Sequence, residues 1–279
     1  MIPERFQRLV MMQGRLSPIR NGRIQSFPFD NWQEEIAQTS RLEIGKLEWT
    51  IDSENFQDNP LISISGCKGI NAEISKWKIS IPSVTCDYFM ENPPWKSTES
   101  EVYSNLSRII EGMSRINSKL LVIPMVDNSS IKTISEQTKT RKFFSKLQNH
   151  LIRLDVHIAF ETDLNPSNFN QFMADFDPFC FYVNYDIGNS ASLGYQPREE
   201  IEAIGDRIAN VHVKDRTLHG STVPLGEGAA NFLEVFSCLN EINYKGNFVL
   251  QTARAKDGNH ARSMIKYRDQ VAAWLEGKS

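Results

Sequence analysis

Eight short apolar runs, separated by stretches of helical character, constrain this chain more than any other feature. They lie at 8–13, 44–49, 79–85, 120–124, 156–161, 181–186, 208–213 and 247–252. Several are continuous apolar blocks, as expected of strands covered on both faces of a parallel sheet. Helices are expected between them at 31–42, 99–117, 135–154, 197–204, 230–242 and 259–275, with a further one at 165–176. The connection 52–69 is the least regular, and Pro60 fits there only at a helix start. Pro197 ahead of Arg198, Glu199 and Glu200 reads as a helix start whose acids complement the helix dipole. Gly246 reads as the stop of the helix before the eighth run.

Eight such units in 279 residues fit a closed (β/α)8 TIM barrel, a fold that takes about 250 residues. The alternative is an open doubly wound sheet, which calls for a Gly-rich turn after an early strand. Met12-Gln13-Gly14-Arg15 has no G-x-G-x-x-G spacing. No Gly/Ser linker or shift of composition divides the chain, so 1–279 reads as a single α/β barrel domain.

Charge and cysteine usage narrow the functional classes. Lys and Arg number 31 against 34 Asp and Glu, a net charge of -3, which argues against nucleic acid as a partner. No run approaches the roughly 20 apolar residues of a membrane span. Glu4, Arg5 and Arg8 interrupt the start of the chain where a signal peptide needs an apolar stretch. Cys67, Cys86, Cys180 and Cys238 are far apart and form no C-x-x-C pair. Free buried thiols in the cytoplasm are the expectation.

Polar residues punctuate the ends of the apolar runs, where a barrel places its chemistry. The second run carries Glu48, the fifth ends in Glu161, the sixth in Asp186, the seventh carries His212 and the eighth reaches Gln251. Singly, a strand-end carboxylate reads as a cap or an ion-pair partner, and a histidine in an apolar strand as a hydrogen-bonded core residue. Four on consecutive strands point instead to one centre. Two carboxylates, one imidazole and one amide oxygen suit a divalent ion such as Mn, Mg or Co better than a thiolate-rich zinc site. Such an ion can clamp a hydroxy-ketone and stabilise an enediolate as a carbon-bound proton leaves.

Asp186-Ile-Gly-Asn189, Val211-His212-Val213-Lys214-Asp215, Pro224-Leu-Gly-Glu-Gly228 and Phe248-Val-Leu-Gln251 together resemble the xylose-isomerase-like TIM-barrel superfamily. Within it, they look more like the sugar-phosphate isomerase/epimerase branch. The likeness is densest from Val156 to Arg254, with Ile44-Gly-Lys-Leu-Glu48-Trp49 supporting it in the first half. The resemblance implies a divalent metal (Mn, Mg, Co or Zn) held by Glu161, Asp186, His212 and position 251. The family's last ligand is Glu, and this chain has Gln251. An amide can offer a neutral oxygen to a metal but cannot act as a base. Two-base epimerisation is therefore in question, and Glu161 is left as the evident carboxylate base. Lys214 or a metal-bound water would supply another proton.

The remaining candidates are assigned by position. Glu48 is a substrate-binding candidate or the ion-pair partner of Lys46, and Lys214 is a catalytic candidate or the partner of Asp215. Asn189 within the sixth-strand motif, and Arg216 and Arg254 beyond strands seven and eight, are further substrate-binding candidates. Both arginines read as a phosphate site or as solvated surface. Gly226 and Gly228 read as a mobile loop or an ordinary turn, and Trp49 and Phe160 as apolar walls of a site or as core.

Three functions follow. The first is a metal-dependent isomerase or epimerase of a sugar or sugar phosphate, with the homodimer that the resemblance implies. The second is a non-catalytic sugar-binding relative in which Gln251 marks lost chemistry. The third is an endonuclease-like phosphodiesterase, disfavoured because its histidine-rich zinc site is missing from a chain with five histidines.

Overall fold

The computed structural model describes residues 2–20 and 22–278; Met1, Asn21 and Ser279 lie outside the described residues. Its centre is a closed barrel of eight parallel strands. These are β1 (Leu9–Met12), β2 (Leu47–Ile51), β3 (Ser83–Cys86), β4 (Leu120–Met125), β5 (His157–Thr162), β6 (Phe181–Asp186), β7 (Ile208–Val213) and β10 (Asn247–Leu250). Neighbours follow chain order, and β10 closes against β1 through pairs such as Val10 with Val249. A two-stranded antiparallel ribbon, β8 (Asp215–Arg216) and β9 (Thr222–Val223), extends from β7.

The helices cover the outside of the barrel. They are α1 (Trp32–Arg41), α2 (Ile64–Trp77), α3 (Tyr88–Glu91), α4 (Glu99–Arg115), α5 (Ile134–Ser145), α6 (Gln148–Leu154), α7 (Pro166–Ala174), α8 (Ile187–Leu193), α9 (Pro197–Ile204), α10 (Phe232–Glu241) and α11 (His260–Leu275). Alternation along the strands sends every second side chain outward into the main apolar core. On β5, Phe160 points outward and meets Phe144 at 4.9 Å, Phe176 at 5.0 Å and Phe181 at 5.9 Å. Aromatic burial of this kind contributes about 25 cal/mol per Å² of apolar surface. Inward positions are different in character. Val10, Met12 and Val249 form a small apolar cluster of their own. Around them the buried inward set is largely polar: Glu48, Thr50, Ser83, Thr85, Asn184, Asn210 and His212, with Val122 and Ala159 as apolar members.

Several expected boundaries move for local reasons. The segment 135–154 is broken into α5 and α6 around Leu147, and α5 begins with a Thr133/Glu136 capping box. In the connection 52–69, a 3-10 turn (Phe56–Asp58) precedes a second (Pro60–Ile62) that Pro60 starts and Asn59 caps, and α2 follows with Ser63 as its cap. Gly246 does not stop α10. The helix ends at Glu241 and the chain turns at Asn243, whose φ is 56°. Gly246 instead leaves room for the Tyr244 ring, because a Cβ there would meet its hydroxyl at 2.2 Å. Pro197 does open α9. Among the described residues no helix is long and apolar enough to cross a membrane, and all four cysteines are free and buried.

Candidate active site

The C-terminal ends of β5, β6 and β7 bring Glu161, Asp186 and His212 together, with one donor atom from each within 4.8 Å of the others. All three are buried. Register accounts for part of this, since Asp186 pairs with His212 across β6 and β7. Position 251 follows β10 directly, and Gln251 lines the same cavity as Glu161, a space of about 430 Å³.

His212 is held from below. Its Nε2 lies 2.8 Å from Oε1 of Glu48, a carboxylate with no solvent exposure. Glu48 also accepts from Ser83 Oγ at 2.5 Å, from Thr85 Oγ1, and from Asn210 Nδ2 at 3.0 Å. A buried carboxylate is costly unless it is paired and its lone pairs are used, and here both conditions are met. Burial raises the pKa of Glu48, but the charge and hydrogen bond of His212 outweigh it and leave the group below its ordinary value. Burial likewise opposes charge on His212, yet Glu48 and Glu161 hold its pKa up at about 10. The other ring nitrogen, Nδ1, is buried and faces Oε2 of Glu161 at 3.3 Å, an ion-pair contact without the alignment of a hydrogen bond.

Amides hold Glu161. Asn184 Nδ2 donates to Oε2 and Asn189 Nδ2 to Oε1, each at 2.7 Å. The Asp-Ile-Gly-Asn motif explains itself at this point. Asp186 caps α8 by accepting from the backbone N–H of Asn189 at 2.8 Å, which aims the Asn189 side chain at Glu161. Gly188 clears space for Lys214, since a Cβ there would meet Lys214 Cγ at 2.8 Å. Lys214 Nζ then reaches Asp186 Oδ2 at 3.2 Å and Asn189 Oδ1 at 3.0 Å.

The Val-His-Val-Lys-Asp motif divides by face. His212 and Lys214 turn toward the site. Asp215 is buried and accepts from the backbone N–H groups of Gly226, Gly228 and Ala230 at 2.8, 2.9 and 3.2 Å. The partner of Lys214 is thus Asp186, while Asp215 holds the Pro-Leu-Gly-Glu-Gly loop in place. A Cβ on Gly228 would lie 2.1 Å from Asp215 Oδ1, so the second glycine is required by close approach.

The other sequence candidates fall into two groups. Arg216 lines the cavity and donates to Asn189 Oδ1 and to Gly220 O, each at 2.9 Å. Arg254 donates to the carbonyls of Gly14 and Ser17, which fastens the loop after β1. Glu48 lies beneath the site and does not line the cavity, and Lys46 bonds Asn247 instead. Trp49 and Phe160 have no exposure and sit in the outer core. The sequence reading passed over Asn184, Asn210, Arg15, Gln25 and Asp87. The first two were legible, because each lies two residues before a recognised site residue on its own strand and so shares its face. The other three come from loops with no such spacing.

Whether these residues suit a metal is decided by two atoms. His212 Nδ1 and Gln251 Oε1 are both buried with no hydrogen-bond partner. The Gln251 oxygen is a costly orphan, and His212 Nδ1, which faces the Glu161 carboxylate, has a lone pair suited to a cation once the imidazole is neutral. With the carboxylates of Glu161 and Asp186 they make a three-oxygen, one-nitrogen donor set that fits a divalent ion.

The family model described as Xylose isomerase-like TIM barrel matches residues 48–276. A Haemophilus influenzae protein named "Putative L-ribulose-5-phosphate 3-epimerase SgbU" is 23% identical over 272 residues, covering 88% of this chain and 92% of that protein. The Escherichia coli (strain K12) protein of the same name is 33% identical over 108 residues, 34% of this chain and only 38% of its own length. A crystal structure of the IOLI protein with a bound zinc atom superposes with a TM-score of 0.74 at 13% identity, over 98% of this chain and 99% of that one.

Proposed function

The chain belongs to the Xylose isomerase-like TIM-barrel family, and from that premise we propose that it is a metal-dependent isomerase or epimerase of a sugar or sugar phosphate. The observation that carries this is the cluster of Glu161, Asp186 and His212, with the buried Gln251 Oε1, which has no hydrogen-bond partner, in the cavity that Glu161 lines. Glu161, Asp186, His212 and Gln251 would hold the ion. When bound, a divalent ion supplies polarisation of the substrate's carbonyl and neighbouring hydroxyl oxygens. The zinc of the IOLI structure and the epimerase names of the relatives support the same reading.

Glu161 would take the proton from the carbon next to the carbonyl, giving an enediolate. Asn184 and Asn189 fix its two oxygens, so the base is oriented before substrate arrives. Gln251 cannot serve as a second carboxylate base. A one-base transfer, with Glu161 returning the proton, is the reading this composition favours, and Lys214 is the other proton carrier at hand. Arg216, with Asn189 beside it, would receive an anionic substituent such as a phosphate. The four free, buried cysteines support a cytoplasmic setting.

The test is solvent exchange. The Mn²⁺-loaded chain is incubated in D2O with ketopentose 5-phosphates and free ketoses, and carbon-bound deuterium is read by NMR. Incorporation next to the carbonyl of at least one compound, lost in Glu161→Gln, is expected. Saturable binding of these sugars with no exchange in any of them would mean a binding protein instead.

A further inference from the structure

We propose that Gln25 is a positioning residue that sets which way round the Gln251 amide sits, so that its oxygen is offered to the Glu161, Asp186 and His212 cluster. This rests on Gln251 being a ligand of that site.

A glutamine amide has a donor end and an acceptor end of nearly the same shape, so only its partners decide its orientation. Turned one way, Gln251 gives a metal its oxygen. Turned the other way, it presents an NH2 group with no lone pair to share. Gln251 Nε2 donates to Gln25 Oε1 at 3.0 Å, which leaves Gln251 Oε1 buried and free. Gln25 is in turn set by two groups whose polarity is fixed. Arg15 can only donate, and its Nη2 reaches Gln25 Oε1 at 3.0 Å. Asp87, when ionised, can only accept, and its Oδ2 receives Gln25 Nε2 at 2.8 Å. The Gln25 oxygen must therefore face Arg15 and Gln251, and the only Gln251 atom able to meet it is the amide nitrogen. Polarity passes from a charged pair through one amide to the next.

The arrangement is held rigidly enough for this. Arg15 is 3% exposed and also donates to Ile24 O at 2.6 Å. The start of the loop is pinned by Glu35, which accepts from the N–H groups of Gly14, Leu16 and Ser17 at 2.8, 2.8 and 3.2 Å. Arg15, Gln25, Asp87 and Gln251 all line the cavity that contains Glu161. Burial, with the nearby charge of Asp52, raises the Asp87 carboxyl to about 7, so the orientation is most fully enforced in mildly alkaline solution.

The experiment titrates the full chain with Mn²⁺ alone at pH 8 by calorimetry, using wild type, Gln25→Leu, Gln251→Leu and the double variant. Outer-shell partners of metal ligands are worth about 10- to 100-fold in affinity. Gln25→Leu is expected to weaken Mn²⁺ about 10-fold, and the double variant to bind no more weakly than Gln251→Leu. Melting of each metal-free variant reports folding. If Gln25→Leu does not fold, Gln25→Met replaces it, since a thioether has no amide oxygen to orient Gln251, and its loss should vanish in the Gln251→Leu background. Binding by Gln25→Leu within twofold of wild type, or losses that multiply in the double variant, would overturn the proposal. A wild-type chain that binds no Mn²⁺, or binds it equally well as His212→Ala, sinks the metal reading itself and the proposal with it.

Discussion

His212 Nε2 and Glu48 Oε1 stand 2.8 Å apart with neither side chain exposed to solvent, so the imidazole is committed at that nitrogen and only Nδ1 remains for the site. A carboxylate behind a ligating histidine fixes its tautomer and raises its basicity. Glu48→Gln keeps the shape but removes the charge. It should weaken Mn²⁺ binding about 10- to 100-fold in calorimetry while the fold persists by circular dichroism. Unchanged affinity would show that Glu48 serves the core alone.

Metal binding should depend on pH through the same pair. Burial works against charge on His212, but Glu48 and Glu161 hold its pKa at about 10, so the metal-free imidazole is protonated at neutral pH. An ion taking Nδ1 must displace that proton. Affinity should rise with pH, by about tenfold per unit between pH 6 and 8 for one proton released. Calorimetry in buffers of different ionisation enthalpy counts the proton directly, and a pH-independent affinity would rule out His212 as a ligand.

Glu161→Gln separates base from fold. The amide can still accept hydrogen bonds, but it cannot abstract a proton. Loss of general base catalysis typically costs 10²- to 10⁴-fold, so substrate deuterium exchange should fall by about that factor. Exchange at the wild-type rate would move the base elsewhere, with Lys214 the first place to look.

A separate pH effect lies outside the barrel mouth. Glu200 on α9 is buried and accepts from Tyr185 Oη at 2.9 Å. Burial is the main cause that raises its pKa to about 7, from an ordinary 4.5. Between these values the unfolded chain has lost a proton that the folded chain keeps. The stability it contributes is present in full below about 4.5 and is lost as pH rises through 7. Glu200→Gln should therefore gain stability relative to wild type across that window, by up to about 3 kcal/mol. Urea melts at pH 5 and pH 8 measure it, and a pH-independent difference would contradict the assignment.

The barrel was legible because its cause is repetitive. Each β–α unit repeats a continuous apolar run and a helical stretch, and a closed parallel sheet buries eight such runs on both faces while leaving no open edge. Glu161, Asp186, His212 and Gln251 were legible for a related reason, since each ends or interrupts a run. Glu48 was visible as a residue but not in its setting. Its contact with His212 spans the barrel interior, and nothing local in Lys-Leu-Glu-Trp announces it. Gly246 was misread as a helix stop because Asn243 took the left-handed turn first, leaving the glycine to make room for a tyrosine. Arg15, Gln25 and Asp87 were silent because loop residues converge through tertiary contacts that no spacing encodes.

The most direct test of the account is a crystal of the full chain grown with Mn²⁺, with anomalous diffraction recorded at the manganese edge. One strong peak bounded by Glu161, Asp186, His212 Nδ1 and Gln251 Oε1 is expected. No peak there at saturating Mn²⁺, or a peak confined to other residues, would contradict it.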